Sequence, residues 1–167
     1  MIRLIILALW TSVLNPVLFQ ENKDAKCTIK PFEVYLDDED EYSNIRATPG
    51  GQIVLKINNE HSYGYILNVI DIEKGWLKIN EINGLEDYRI SEFEGWVHTS
   101  IVGLGTTHDI DILDKPNGTN KMGKLLGEQD RFKIKDVYCE WVKIECKGVT
   151  GWIESEKTCG NPVTTCP

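Results

Sequence analysis

The stretch "EWVKIECKGVTGWIESE", residues 140–156, holds two tryptophans on either side of a Lys-Gly pair. Alternating apolar residues around that pair predict two short β-strands, 141–146 and 149–154, joined by a tight hairpin turn at Lys147 and Gly148. Similar short runs, bounded by turn residues, lie at 65–72, 76–80 and 131–137. Because the chain after residue 20 shows no sustained helical period, the sequence predicts an all-β fold.

Three motifs of the chain occur twice, in the same order. "SNIRATPGG" (43–51) matches "IDILDKPNG" (110–118), "KGWLKI" (74–79) matches "CEWVKI" (139–144), and "EGWVHTS" (94–100) matches "TGWIESE" (150–156). The two tryptophans are 20 positions apart in the first copy and 11 in the second, so the first copy carries an insertion of nine residues within 80–94. Such a loop either takes part in recognition or is a solvated variant. The sequence therefore predicts one structural unit built twice.

The amino terminus is expected to be a targeting segment. Residues 1–20 begin with a single cation, Arg3, and continue as an apolar run. This pattern is typical of a secretory signal, and the run is shorter than the roughly 20 apolar residues that a spanning helix needs. The alternatives are an uncleaved anchor or a core segment. We expect an exported protein, periplasmic or secreted, with no membrane association after signal removal.

The charge of the chain limits its partners. The formal net charge is −8, and removal of residues 1–20 takes away only Arg3 among the charged residues. Nucleic acids and other anionic polymers favour cationic surfaces. The composition therefore argues against both as partners.

The five cysteines are expected to form disulfides, as is usual in exported proteins. If residues 139–146 form one strand, Cys139 and Cys146 lie about 23 Å apart, too far to pair with each other. Cys159 and Cys166 are the nearest candidates for a bridge, within "CGNPVTTC". The odd number leaves one thiol free or bonded to another chain. Zinc is a weaker alternative, because no C-x-x-C spacing is present. The disulfide candidates are therefore Cys139, Cys146, Cys159 and Cys166.

Several of these motifs resemble the bacterial SH3-like (SH3b) domain family. In the first copy the resemblance rests on the opening "NIRATP" (44–49), on Trp76 and on the closing "GWVHTS" (95–100). The second copy keeps Pro116, Trp141 and "GWIES", but has "ILD" (112–114) where the family has an apolar-Arg pair. The resemblance covers roughly residues 33–160. It implies two small tandem SH3-like β-barrels, at 27–104 and at 105–167, the latter including a cysteine-containing tail.

The alternation of side chains along a strand predicts a binding surface. If Val142 and Ile144 face the core, Trp141 faces outward, and Leu77 and Ile79 place Trp76 outward in the same way. An outward tryptophan could form a ledge for an extended peptide, unless a loop or the other repeat covers it. Trp96 and Trp152 are the better candidates for structural packing. Three tyrosines could extend the ledge or serve packing instead, namely Tyr35, Tyr42 and Tyr65.

A binding role is expected rather than a catalytic one. The chain has three histidines and no cysteine in a setting that suggests an activated thiolate, so we expect no catalytic residues, metal or cofactor. The resemblance implies a peptide ligand, such as the stem peptide of bacterial peptidoglycan. The alternative is a structural or regulatory envelope protein that binds a protein partner through the same surface.

Overall fold

The computed structural model describes residues 27–84, 93–127 and 131–161. The predicted signal peptide (1–20), most of the inserted loop and Cys166 lie outside the described residues. Within those ranges the chain forms strands and three short 3₁₀ turns, the latter at Asn59–Gly64, Thr99–Ile101 and Ser155–Lys157. The all-β prediction is therefore confirmed.

Twelve strands are described. They are β1 (Phe32–Leu36), β2 (Tyr42–Arg46), β3 (Ile53–Asn58), β4 (Tyr65–Glu73), β5 (Trp76–Gly84), β6 (Gly95–His98), β7 (Val102–Gly105), β8 (Ile110–Leu113), β9 (Lys121–Leu125), β10 (Arg131–Tyr138), β11 (Trp141–Cys146) and β12 (Val149–Glu154). All pair antiparallel with their neighbours in one continuous sheet, with the order β3-β2-β6-β5-β4-β1-β7-β10-β11-β12-β8-β9.

The strand order contains the same arrangement twice. Strands β1–β6, which we call the first unit, are arranged 3-2-6-5-4-1, and strands β7–β12, the second unit, repeat that arrangement from the opposite end of the sheet. The units meet edge to edge through their first strands, where Tyr35 pairs with Gly103 and Leu36 with Val102. The internal repeat is thus present in the topology. The predicted division between residues 104 and 105 falls inside β7.

The predicted hairpin of strands 141–146 and 149–154 is confirmed. Strands β11 and β12 pair from Trp141 opposite Glu154 to Cys146 opposite Val149. Lys147 and Gly148 connect them with φ angles of 49° and 81°. Two successive positive φ angles match the right-handed twist of a tight hairpin, and glycine adopts such an angle without steric cost.

The core lies on one face of each strand. Val142 and Ile144 are fully buried, as are Leu77 and Ile79, so the predicted inward face of β5 and β11 is confirmed. On the closing strands the buried apolar residues are Val97 and Ile153. Trp96 and Trp152, their neighbours in sequence, are only half-buried and point to the opposite face. Trp96 and Trp152 therefore do not belong to the buried core, because strand alternation gives that position to the next residue; their role in structural packing stays a prediction.

A disulfide fastens the amino-terminal end of the described chain to the second unit. Cys27 is bonded to Cys139, in the turn between β10 and β11, with Cα atoms 5.4 Å apart. The prediction that Cys139 does not pair with Cys146 is thus confirmed, while its partner Cys27 was absent from the predicted candidates. Cys159 is also disulfide-bonded. Cys146 is buried at the end of β11, where its Sγ lies 3.6 Å from the carbonyl oxygen of Arg131.

Candidate functional site

A row of large side chains crosses the outer face of the first unit. Trp96 on β6 lies directly opposite Arg46 on β2 and opposite Lys78 on β5. Residues directly opposite each other in antiparallel strands share one face of the sheet. The indole of Trp96 therefore lies between two cationic side chains, on the face that does not contribute to the core.

Trp76 and His98 form a second row beside the first. These two residues are paired across β5 and β6, and their rings meet edge to face with centroids 5.0 Å apart. The Arg46 guanidinium carbon lies 5.8 Å from the centroid of the Trp76 ring, which is within range of a cation–π contact. We call Arg46, Trp76, Lys78, Trp96 and His98 the aromatic-cationic face.

Two hydrogen bonds hold the cationic face in position. Arg46 donates from Nη1 to the carbonyl oxygen of Gly51 at 2.6 Å, which fixes its guanidinium beside Trp76. His98 Nδ1 accepts from the backbone N–H of Ser100 at 3.3 Å and lies 2.7 Å from the Ser100 hydroxyl. A neutral imidazole that accepts at Nδ1 carries its proton on Nε2. His98 can therefore donate a hydrogen bond from Nε2.

A cleft of about 340 Å³ runs beside the Trp96 end of this face. It is lined by Trp96 and Lys78 together with Ala47, Val54, Phe93, Glu94 and Gly95. Lys78 Nζ lies 3.5 Å from a carboxylate oxygen of Glu94, whose side chain is 70% exposed. Such an exposed pair contributes little to stability, so Lys78 can exchange partners at small cost. The cleft therefore places apolar side chains next to the ammonium group of Lys78, which can bind a ligand.

The second unit repeats the arrangement with different residues. Trp152 lies opposite Leu113 and Lys143, and Trp141 lies opposite Glu154. Leu113 thus takes the place of Arg46, and Glu154 takes the place of His98. Lys143 Nζ is 5.7 Å from the centroid of the Trp152 ring, so one cation–π contact remains.

Trp141 lies on the predicted outer face of β11, but it is covered there, which is the alternative that the sequence left open. Its side chain is only 5% exposed, although Val142 and Ile144 occupy the core face of the same strand. Trp141 borders a cleft of about 420 Å³ that is also lined by residues 108–111, Leu113, Ile153, Glu154, Glu156 and Lys157, so neighbouring chain lies over the indole. Covering by a loop was the alternative that alternation along a single strand could not exclude.

The predicted tyrosines are not gathered around Trp76. Tyr35 is 2% exposed and lies in the joint between the units, opposite Gly103. Tyr65 is half-buried at the far end of the β4–β5 hairpin from Trp76, about 26 Å away along the strand. Tyr42 is exposed at the opposite end of β2 from Arg46. Their ligand-binding roles stay predictions, but the structure does not place them on a common ledge.

Residues Arg46, Lys78, Trp96 and His98 were missing from the predicted site. The missing information was the pairing of β6 with β2 and β5, which decides which side chains stand next to each other. One available signal was the hairpin between Trp76 and Trp96, since antiparallel pairing would have placed their rings on one face.

Ion pairs surround the cleft of the second unit. Four carboxylates contact lysines: Asp109 with Lys124 at 2.7 Å, Asp111 with Lys121 at 2.6 Å, Glu154 with Lys157 at 2.6 Å and Glu156 with Lys30 at 3.0 Å. Lys124, followed by the backbone N–H of Gly127, lowers the pKa of Asp109. The Lys30 ammonium lowers the pKa of Glu156 in the same way. Both carboxylates are therefore ionised at neutral pH.

Replacing Lys124 with methionine is expected to raise the pKa of Asp109 towards its ordinary value, because Lys124 is the largest cause of the lowering. A lowered carboxyl pKa contributes stability that is present above the unfolded pKa and is lost as pH falls through the folded pKa. That small acid-range dependence should weaken in Lys124→Met. Carboxyl-carbon NMR titration measures the change. Lys115→Met, in the β8–β9 turn, is the control, and an unchanged Asp109 titration in Lys124→Met would contradict the assignment.

The described part of the chain shows neither a metal-binding cluster nor a membrane-spanning helix. Within 27–84, 93–127 and 131–161, no group of three or more His, Cys, Asp or Glu side chains is placed to hold a metal ion. Across the same ranges, no helix has the length and apolar character needed to cross a membrane. The His98 and His108 rings form hydrogen bonds with the neighbouring residues Ser100 and Thr107.

Comparison with known proteins gives only weak structural likenesses, of which two are described. No family model matches the chain, and no curated protein matches it. The structures "NlpC1 from Trichomonas vaginalis" and "NlpC2 from Trichomonas vaginalis" are each 12% identical to it, with TM-scores of 0.31 and 0.32. Each match covers 78% of this chain but only 46% and 48% of the respective structures, so the chain spans about half their length.

Proposed function

We propose that this protein is an exported, non-catalytic binding protein whose two units are SH3-like barrels, and that it binds a peptide of the bacterial cell wall. The observation that carries the proposal is the aromatic-cationic face: two tryptophans, a histidine and two cationic side chains, Arg46 and Lys78, on one surface of a chain with a net charge of −8. Because the protein as a whole is acidic, it does not attract anions in general, whereas the local positive charge of this face can attract the carboxylates of a ligand.

The chemistry of the face suits an extended peptide that carries carboxylates. Arg46 and Lys78 can bind carboxylates, and the Nε2 of His98 can donate to a backbone carbonyl. Trp76 and Trp96 offer flat apolar area that a peptide can cover without ordering many rotamers. Stem peptides of peptidoglycan combine peptide bonds with free carboxylates, which are the groups that this face accommodates.

Export is supported by the covalent chemistry of the chain. The Cys27–Cys139 disulfide is of the kind that forms and persists in oxidising compartments. The amino-terminal apolar run supports the same proposal, because its pattern is typical of a secretory signal. Both features support the proposal that the protein is exported, either to the periplasm or out of the cell.

A pull-down on purified peptidoglycan tests the proposal. We expect the wild-type protein to be retained, and Trp76→Ala or Trp96→Ala to lose at least tenfold in retention because each removes a ring from the binding face. Trp152→Ala is the matched control, since it removes a half-buried outer-face tryptophan from the second unit. It should be retained like the wild type.

The outcomes separate two functions. Absence of wild-type retention would exclude the cell wall as the ligand, and chemical crosslinking in the native envelope should then capture a defined protein partner if the protein is structural or regulatory. Equal retention of Trp76→Ala, Trp96→Ala and Trp152→Ala would show that wall binding uses another surface. Circular dichroism spectra of the variants separate loss of binding from loss of fold.

A further inference from the structure

The turn between β8 and β9 carries a motif that the binding proposal does not use. Residues 117–119 read Asn-Gly-Thr, which is an acceptor sequence for N-linked glycosylation. No other asparagine of the 167-residue chain has serine or threonine two positions later. Such a sequence can be modified only in an exported protein and at a solvent-exposed position, so its place in the fold decides whether it can act as a site.

Asn117 occupies the third position of a tight β-turn. The backbone N–H of Gly118 donates to the carbonyl oxygen of Lys115 at 3.0 Å, with Pro116 and Asn117 between them. Proline suits the first central position of a type II turn, and Asn117 has a φ of 54°, the positive angle that the second central position requires. The backbone alone defines this turn, so the side chain of Asn117 is not needed to hold it.

The two side chains that define the acceptor sequence are accessible. Asn117 and Thr119 are both exposed. Within the part of the chain that the structure describes, neither the Asn117 carboxamide nor the Thr119 hydroxyl takes part in a hydrogen bond. The strand that follows the turn, β9, is the outermost strand of the sheet and pairs with β8 on one side only. The motif therefore lies at the outer edge of the sheet, where a large attached group has room.

The equivalent turn of the first unit has glycine in place of the acceptor. There the N–H of Gly51 donates to the carbonyl oxygen of Thr48 at 2.9 Å, and Gly50 has a φ of 66°. Glycine adopts a positive φ without steric cost, whereas asparagine is only tolerated there. The second unit thus replaces the residue that suits the backbone best with one that carries a carboxamide.

We propose that Asn117 is an N-glycosylation site, modified during export by transfer of an oligosaccharide from a lipid-linked pyrophosphate donor. Nδ2 of Asn117 forms a bond to the anomeric carbon of the first sugar and gives up one proton. The bond between that carbon and the pyrophosphate breaks, and its electron pair leaves with the lipid pyrophosphate. The Thr119 hydroxyl makes Asn117 the acceptor rather than Asn120, which lies in the same turn but outside the motif.

The inference rests on the export proposed above and not on the cell-wall ligand. Lipid-linked oligosaccharides are transferred on the far side of an export membrane, which is also where a disulfide such as Cys27–Cys139 forms and persists. Asn117 belongs to the second unit, whereas Trp76 and Trp96 of the aromatic-cationic face belong to the first. Glycosylation and peptide binding therefore use different units of the sheet.

Mass spectrometry of the protein isolated from its own cells tests the site. We expect the peptide that contains residues 117–119 to carry an oligosaccharide that peptide N-glycosidase removes. This enzyme converts the glycosylated asparagine to aspartate, so the digestion is carried out in H₂¹⁸O. Incorporated ¹⁸O marks an asparagine that carried a glycan, whereas earlier spontaneous deamidation of the Asn-Gly pair leaves no ¹⁸O.

Four variants expressed in the same cells define the acceptor. Asn117→Gly should lose the glycan completely and keep the fold, because Gly50 fills the equivalent position of the first unit. Thr119→Ala should also lose the glycan, whereas Thr119→Ser should retain it because serine keeps the hydroxyl. Asn120→Gln is the matched control and should stay glycosylated. Circular dichroism spectra establish that each variant keeps its fold.

Three results would overturn the inference: an unmodified Asn117 in the isolated protein, an aspartate without ¹⁸O, or a glycan that persists in Asn117→Gly. The mass of the amino-terminal peptide separates this failure from a failure of the proposed export. An unmodified Asn117 in a chain that has lost residues 1–20 counts against the glycosylation site alone. The same result in a chain that retains those residues counts against export as well.

Discussion

Replacing both Cys27 and Cys139 with serine is expected to lower the free energy of unfolding by about 4 to 5 kcal/mol. The bridge closes a loop with a sequence separation of 112 residues. In the chain-entropy model such a long loop restricts the unfolded chain strongly, so its loss favours unfolding. Denaturant unfolding under non-reducing conditions, compared with the wild type, measures the difference.

The single variant Cys27→Ser provides the internal control. Because either substitution alone breaks the bridge, Cys27→Ser should cost nearly as much as the double variant, and the second substitution should add little. Additive costs for the two single variants, or a total below about 1 kcal/mol, would be inconsistent with a bridge between these residues. Mass measurement after alkylation establishes which thiols are released.

Replacing Gly103 with alanine is expected to cost about 3 kcal/mol, at the upper end for overpacking. Gly103 lies in the joint between the units, where an added Cβ would overlap the ring of Tyr35. That ring is 2% exposed, so it has no solvent to move into, and strands β1 and β7 would have to separate. Thermal or chemical unfolding measures the loss.

Gly123→Ala is the matched control for this experiment. Gly123 lies in the edge strand β9, and the closest neighbour of its added Cβ would be a methyl group of Val149 at 3.0 Å, with its other neighbours at ordinary contact distance. The cost should stay below about 1 kcal/mol, because an edge strand and a single side chain can adjust. Similar costs for both variants would show that the Tyr35–Gly103 contact has no special part in joining the units.

The sequence predicted the local features of the fold well. The hairpin around Lys147 and Gly148 followed from alternation and turn chemistry, both of which act over a few residues. The repeat followed from motif matches. The joint between β1 and β7 could not be predicted, because no local pattern specifies which strand edges pair across a separation of more than 60 residues.

In the candidate site, too, the local features could be predicted from the sequence and the long-range contacts could not. Trp76 was placed on the outer face from strand alternation alone, and the structure puts it there, half-buried beside His98. The row of Arg46, Trp96 and Lys78 depended on cross-strand register. Trp141 was placed on the outer face in the same way, but its burial there could not be predicted, because alternation carries no information on segments that fold over a face of the strand.

The edge-to-edge joint limits how such units can be combined. Each unit contributes its first strand to the joint, β1 in one and β7 in the other. Once these strands pair, neither edge is open to a further strand. A contact made by the same surface on both partners is closed, unlike a head-to-tail contact, which can repeat without limit. The arrangement therefore joins two units and no more through this edge. A third unit could be added only through a different surface, such as the outer strands β3 and β9.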